Sequence, residues 1–444
     1  MKCKQYPAYK DSGVEWLGET PEGWRISGIK HRCLKITDGA HVSPETVGGV
    51  YPFISTADLK QSGIDFENCL TTTPESYVVM VRGGCKPVAG DVLFSKDGTV
   101  GKTIVIKDER EFVVASSLII VRPNKRLVQP CFLNYLFQAD FLGAQVDRFV
   151  KGTALRRLSI QNLLFVQGVF PPMDEQTRIV DFLDRETEKI DTLIAKQERL
   201  IKLLQEKRQA LISLAVTKGL NPDAPMKPSG VEWLGDVPAK WKIQRLRHLS
   251  GGLAVGLVIN PSTYVAAEGV PFLFGGNIQP GRIDAAGARR ITPEDSRKLA
   301  ASMLRTGDLV TVRVGFPGIT ACVPPELDGC NCASMLIVRR SSRFVPAWLC
   351  YAMNSWAGKV QVELVQYGAA QEQFNLSHAV DFTYAVPPLD EQDRIVATLD
   401  SACTKLDNLK SKAQQAIAFM RERRTALISA AVTGKIDVRK PTHA

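Results

Sequence analysis

The residues of this chain that invite a chemical reading begin with Gly98-Thr99-Val100-Gly101-Lys102-Thr103, which has the Gly-Lys-Thr ending of a phosphate-cradling loop. The complete motif needs a glycine where Lys96 stands, so the match fails. Gly315 and Gly318 repeat the glycine pair in the second half of the chain, with Ile319 in the place of Lys102, which points to shared turn geometry. Cys330-Asn331-Cys332 is the only close cysteine pair, and a zinc site would need a second pair at suitable spacing. A methyltransferase would need a cofactor-binding glycine motif and an Asn-Pro-Pro-aromatic or Pro-Cys loop. Neither occurs, and Asn221-Pro222-Asp223 lacks the second proline and the aromatic. These patterns predict no catalytic residue and no metal in this chain.

What the loops do carry is basic and amide side chains, the groups that hold phosphates and read base edges. Candidate DNA-binding residues in the first half are Arg82, Lys86, Lys96, Lys102, Lys151, Arg156 and Arg157. In the second half they are Asn277, Gln279, Arg282, Arg313, Gln371 and Gln373, with Arg289, Arg290, Arg297, Arg305 and Arg339 as further cations. The run from Gly152 to Ser159 aligns with that from Gly368 to Asn375 and exchanges an arginine pair for glutamines and a glutamate. Arginine prefers guanine edges and glutamine adenine edges, so the exchange suits two readers with different preferences. A buried structural role for some of these side chains is the competing reading.

The elements that must position these loops come from a duplication. Ser12-Gly13-Val14-Glu15-Trp16-Leu17-Gly18 recurs as Ser229-Gly230-Val231-Glu232-Trp233-Leu234-Gly235. Pro171-Pro172-Met173-Asp174-Glu175-Gln176 recurs, at almost the same separation, as Pro387-Pro388-Leu389-Asp390-Glu391-Gln392. Half the chain is therefore the repeat unit. Each half ends in a long charged helix. In the first, Ile179, Leu183, Ile190, Leu193, Leu200, Leu204, Leu211 and Leu214 predict a coiled-coil seam, opened by Asp174 and Glu175 and closed at Lys218-Gly219. The second seam is Ile395, Leu399, Ala402, Leu406, Leu409, Ala413, Ala416, Met420, Arg423, Leu427 and Ala430, whose small alanines complement the larger side chains of the first. Connectivity requires the two helices to run antiparallel. Between the matched edges, Val92-Leu93-Phe94, Thr103 to Ile106, Leu118 to Val121, Leu309 to Val312 and Leu336 to Val338 read as strands. Trp24 and Trp241 read as packing anchors.

At 444 residues the chain exceeds what one core organises, and its net charge of +10 favours a polyanionic partner. The stretch from Asp174 to Lys218 holds nine basic and nine acidic residues, so the excess lies in the divergent segments. Ten scattered cysteines and the absence of an apolar signal core predict a reduced, cytoplasmic setting. The longest apolar run, Phe112 to Val121, is too short to span a bilayer, so no membrane partner is expected.

With these residues in view, the chain resembles the specificity subunit of type I restriction-modification systems. The resemblance rests on Gly-Val-Glu-Trp-Leu-Gly before Pro-x-x-Trp, on Asp38-Gly39-Ala40-His41, and on Gly90-Asp91-Val92-Leu93 followed by Gly98-Thr99-Val100-Gly101. It rests also on Pro-Pro-x-x-Glu-Gln before a long helix that ends in Leu-Ile-Ser-x-Ala-Val-Thr. It implies an α+β protein with two target-recognition domains separated by two long antiparallel coiled-coil helices and an internal pseudo-two-fold repeat. The boundaries expected are a lead-in at 1–24, recognition domains at 25–165 and 242–382, and helices at 171–219 and 387–435. A linker and second lead-in fall at 220–241 and a tail at 436–444. The implied partners are double-stranded DNA, two methyltransferase subunits and motor-nuclease subunits, with S-adenosylmethionine and ATP bound by the partners and no cofactor in this chain. Glu175, Gln176, Glu391 and Gln392 are candidate docking residues for the methyltransferases, or else caps of the helix starts. The second half lacks a clean Asp-Gly-x-His and carries Val314-Gly315-Phe316-Pro317-Gly318 in place of Lys-x-Gly-Thr-x-Gly. The alternatives are a structural coiled-coil adaptor and a self-contained DNA-modifying enzyme.

Overall fold

The strand Leu118–Pro123 shows why the apolar runs of this chain are continuous rather than alternating. Ile119 and Val121 enter one core with Phe132 and Leu136, while Leu118 and Ile120 enter another with Ile54 and Phe112. A sheet covered on both faces selects branched apolar residues at successive positions. The computed structural model describes residues 5–14, 17–41, 43–60, 63–150, 156–367 and 373–439. It divides into two compact units, residues 1–198 with 415–444, and residues 199–414.

In the first unit a four-stranded antiparallel sheet runs in the order Thr103–Val105, Val92–Ser95, Leu118–Pro123 and Cys33–Asp38. A three-stranded sheet places Tyr51–Ile54 between Val113–Val114 and Leu70–Thr72. The second unit repeats the larger sheet as Thr320–Cys322, Leu309–Val312, Met335–Val338 and Leu253–Val255. The predicted strands are therefore present in both halves. Helices Pro130–Phe137 and Asp140–Phe149 correspond to Pro346–Asn354 and Trp356–Val365.

The two long helices are Met173–Lys218 and Leu389–Val432. Gly219, at φ +79°, takes the left-handed conformation that ends the first of them, as the Lys218-Gly219 exit predicts. Each unit contains the N-terminal half of one helix and the C-terminal half of the other, and these halves run antiparallel. In the first unit Arg424 Nε lies 3.0 Å from Asp191 Oδ1, and Arg421 lies 3.1 Å from Glu198. In the second, Arg208 lies 3.7 Å from Asp407. Arg208 is the repeat equivalent of Arg424, and Asp407 that of Asp191, so one cross-helix pair is made twice with the helices exchanged.

The same exchange holds each recognition domain to a helix from the other repeat. The backbone N–H of Asp140 donates to Ser429 Oγ at 2.9 Å, and that of Trp356 to Ser213 Oγ at 3.0 Å. Each domain also grips its own helix. Tyr135 OH donates to Asp184 and Tyr351 OH to Asp400, both at 2.6 Å. Burial and the bond to Asp184 push the Tyr135 phenol well above its ordinary range.

The helix seams differ in detail from the heptad pattern. Ile179, Leu183, Ile190 and Leu204 are buried, but Leu193, Leu200 and Leu214 are exposed, and Ile194, Ile212, Ala215 and Val216 are buried instead. In the second helix Leu409 and Arg423 face solvent, while Cys403, Ile417, Ile428 and Ala431 turn inward. The reason is geometric. A strict seven-residue repeat drifts by about 20° per heptad on a helix of 3.6 residues per turn, so contact passes to the next residue along. Among the described residues no helix is long and apolar enough to cross a membrane.

In the first unit the ends of the described chain meet. Tyr9 OH donates to the carbonyl of Gly434 at 3.0 Å, and the Arg439 guanidinium lies 4.6 Å from the centre of the Tyr6 ring. The second unit makes the corresponding junction with the continuous linker after Gly219, which lies against Trp241 and Pro238. A circular permutant with the termini joined by a short Gly-Ser linker and the chain opened between Asn221 and Pro222 is expected to unfold cooperatively within a few degrees of the parent. Thermal unfolding followed by circular dichroism checks this, and a loss of more than about 10 °C would contradict it.

Candidate nucleic-acid interface

The strand ends of the first recognition domain bring its motif residues to one rim. Asp38, at the end of Cys33–Asp38, receives Lys96 Nζ at 2.8 Å and His41 Nε2 at 2.9 Å. Gly39 is required there, because a Cβ would lie 2.1 Å from the carbonyl oxygen of Ala115. Asp97 pairs with Arg157 at 2.9 Å, and Arg156 pairs with Asp147. Lys102, exposed at the start of the next strand, donates to the carbonyl of Leu59 at 3.3 Å. Lys96 itself is buried. It is the internal counter-ion of Asp38 rather than a solvent-facing phosphate ligand, a correction to the reading from sequence. Lys151 lies outside the described residues.

Gly98 and Gly101 close the hairpin between Val92–Ser95 and Thr103–Val105 at φ +72° and +96°, and Gly315 and Gly318 do the same at +91° and +95°. Antiparallel strands flank the turn on both sides, so it is shared turn geometry and not the start of a helix that could cradle phosphate. Gly90-Asp91 has an equally structural role. Buried Asp91 accepts Arg122 Nε and Nη2 at 2.8 Å each, and Asp308 accepts Arg339 at 2.7 Å in the second unit. Arg339, one of the further cations, is thereby assigned to the scaffold.

Arg82 is exposed at the end of the helix Pro74–Arg82. Lys86, close by in sequence, pairs with Glu111 at 3.6 Å and lies 5.9 Å from the centre of the Tyr77 ring.

In the second unit the rim is built on the same backbone with other side chains. The pairing of Asp38 with Ile119 and of Val255 with Leu336 fixes Val255 as the counterpart of Asp38. Arg313 stands where Lys96 does and, lacking the carboxylate, donates through Nε to the carbonyl of Phe374 at 3.1 Å. The bridge between Asp97 and Arg157 becomes one between Val314 and Gln373. The arginine-to-glutamine exchange thus accompanies loss of the facing aspartate, which favours an intramolecular reading of that position over a direct base code. Gln371 lies outside the described residues.

Asn277 turns inward, accepting from the Phe274 N–H at 2.9 Å and donating to the Asp284 carbonyl at 3.1 Å. Its amide holds a loop and is not offered to a base. Gln279 and Arg282 are exposed on a tight turn and line a cavity of about 670 Å³ with Gln205, Arg208, Tyr351 and Lys410. Val258, Ile259 and Phe316, none of them among the expected DNA-binding residues, are exposed on the second rim. Superposing the two halves of the sequence could have found them, since it sets Val258 against His41 and Phe316 against Thr99.

The Glu-Gln pairs at the helix starts face inward. Buried Glu175 accepts from Trp24 Nε1 at 3.1 Å. Gln176 accepts from the Gln129 N–H at 2.9 Å, and Gln392 accepts from the Val345 N–H at 2.7 Å. These bonds tie each recognition domain to the first turn of its helix, and burial removes Glu175, Gln176 and Gln392 from a docking surface. Glu391 is half-buried beside Gly219. Cys330 and Cys332 are buried, and burial pushes the Cys330 thiol up to about 12.

Residues 25–165 hold 18 Lys and Arg against 13 Asp and Glu, and residues 242–382 hold 14 against 10, so the positive excess belongs to the recognition domains. Two basic α+β domains with matched frames and dissimilar rims, each completed by paired long helices, define a tandem recognition protein. The comparisons agree. Residues 35–203 match the family model described as type I restriction modification DNA specificity domain. The chain is 24% identical over 441 residues to the putative type I restriction enzyme MjaX specificity subunit of Methanocaldococcus jannaschii, covering 95% of this chain and 96% of that one. It is 22% identical over 327 residues to the type I restriction enzyme EcoBI specificity subunit of Escherichia coli, covering 70% of this chain and 66% of that one. A chain from a solved structure described as the structural basis of complex assembly and conformational transition of the type I R-M system shares the fold. Its TM-score is 0.69 at 19% identity, covering 94% of this chain and 99% of that one. Residues 35–203 thus match the DNA specificity domain of type I restriction-modification systems, and the chain is similar along nearly its whole length to specificity subunits of such systems.

Buried and exposed cations of the first rim should separate experimentally. Lys96→Ala leaves Asp38 without its counter-ion and is expected to destabilise the protein by roughly 3 kcal/mol in denaturant unfolding. Lys102→Ala should leave stability within about 0.5 kcal/mol and lower the slope of log K against log salt for DNA binding by roughly 1. Equal stability of the two variants would contradict the assignment of Lys96.

Proposed function

We propose that this chain reads a bipartite DNA sequence, one half with each recognition domain, and directs methyltransferase and endonuclease subunits to it. The observation that carries this reading is the doubled rim, in which two equivalent backbones present different side chains from domains of positive charge. A scaffold for one repeated contact would keep those positions alike. DNA recognition by such a protein combines sequence-independent attraction of phosphates with groove contacts made by a few side chains.

The chain contributes recognition and no catalytic residue, and the adenine-methylating and DNA-cleaving chemistry resides in partner subunits that bind S-adenosylmethionine and ATP. Two methyltransferase subunits dock on the long helices. The outward-facing leucines support this, since Leu200 and Leu214 in the second unit are 41% and 56% exposed on an otherwise charged helix. A motor-nuclease joins through that complex. Among the described residues nine cysteines are free, which suits work on DNA in a reducing cytoplasm. The recognition domains are assigned to 25–165 and 242–382.

Exchanging residues 25–165 for those of a relative with another target is expected to change one half of the methylated sequence and leave the other half as it was. Methylome sequencing of cells carrying the system reads this directly. An unchanged sequence would favour a structural adaptor, and methyl transfer to DNA by the isolated chain would favour a self-contained enzyme.

A further inference from the structure

The two rims differ in chemical character as well as in identity. At corresponding positions the first has Asp38, His41, Asp97 and Thr99, and the second has Val255, Val258, Val314 and Phe316. A polar rim has been exchanged for an apolar one at four positions, while the cation Lys96 is retained as Arg313. Two of the four, Val258 and Phe316, are exposed, as is Ile259, whose counterpart Val42 is also apolar and lies outside the described residues. Phe316 is 79% exposed, Ile259 77% and Val258 55%.

Phe316 is held by its turn. Phe316 stands at the tip of the hairpin between Leu309–Val312 and Thr320–Cys322, bracketed by Gly315 and Gly318 at positive φ and followed by Pro317, whose ring fixes the backbone. The Gly318 N–H donates to the Val312 carbonyl at 2.9 Å, and a Cβ on Gly318 would lie 3.3 Å from Val362, so the turn is seated on the helix Trp356–Val365. At the same place the first rim displays the hydroxyl of Thr99. At the matched positions, then, the first rim offers charged and hydroxyl side chains, and the second offers apolar ones beside an arginine.

On a DNA major groove the one exposed apolar group of a base pair is the 5-methyl of thymine, and Phe and other apolar side chains recognise it by contact. We infer that the second recognition domain reads its half-site through apolar contacts, with Phe316, Ile259 and Val258 seated against thymine methyl groups. The first domain, with His41 and Thr99 at the positions of Val258 and Phe316, meets its half-site there with polar groups. This rests on the DNA-reading function proposed above and adds the chemistry by which one half of the target is distinguished.

The test uses the full chain assembled with its methyltransferase subunits on a duplex carrying the methylome-defined target. The second half-site is the half that residues 25–165 do not control. Replacing its thymines by uracil one at a time removes only the methyl group. At least one replacement should weaken binding about four-fold, the worth of one buried methyl-sized contact. Phe316→Thr should weaken binding to the thymine duplex and abolish the thymine-to-uracil difference at that position, with its response in the first half-site unchanged. Ile259→Ser supplies the same comparison should Phe316→Thr fail to fold. Uracil sensitivity absent from the second half-site, or undiminished in the variants, would overturn the inference. So would loss of methyltransferase assembly in Phe316→Thr, which would make the tip a protein contact. If the unaltered complex does not prefer its target to a scrambled duplex, the DNA-reading function itself fails and the inference goes with it.

Discussion

Neither recognition domain closes its core with its own repeat. In the first unit Ile428, Ala431 and Val432 from the C-terminal helix lie in one cluster with Ile179, Val180 and Leu183 of the central helix and Phe132 and Leu136 of the domain. In the second, Ile212, Ala215 and Val216 join Ile395, Leu399 and Trp348. Burying each of the isoleucines and valines is worth roughly 1.5–3 kcal/mol, so the borrowed helix contributes several kcal/mol to each core. Antiparallel pairing, the repeated Arg-Asp contacts and the meeting of the chain ends all follow from this exchange.

Much of this was legible in the sequence because the duplication marks its own boundaries. Pro-Pro before an acidic first turn, and Lys-Gly at the end, located the central helix, since proline cannot continue a helix backwards and glycine accepts the left-handed exit. The strands were legible because both faces of the sheet are covered, which leaves unbroken runs such as Leu118 to Val121. The helix seam was legible only in part. Leu193, Leu200 and Leu214 keep a heptad spacing that a straight helix rotates out of contact, and which leucine faces inward depends on a partner helix that the local pattern does not describe.

The site was less legible than the fold for a related reason. A lysine in a loop reads as a phosphate ligand until its counter-ion is known, and Asp38 lies 58 residues from Lys96 in sequence while its carboxylate is 2.8 Å from the amine. Gln176 and Gln392 fasten a domain to its helix in both copies, a repetition that a common external partner would equally have predicted. Conversely, Phe316 shows in the sequence only as part of a departure from the Lys-x-Gly-Thr-x-Gly pattern. Its significance comes from standing uncovered on a turn at a place where the other half has a threonine.

Central to the proposed function is that two differently surfaced domains in equivalent frames read two separate stretches of one duplex. Hydroxyl-radical footprinting of the assembled methyltransferase complex on its methylated target tests it most directly. Two protected patches are expected, centred roughly one helical turn apart and divided by a spacer whose sequence does not affect binding. A single continuous patch, or protection that depends on the spacer sequence, would contradict it.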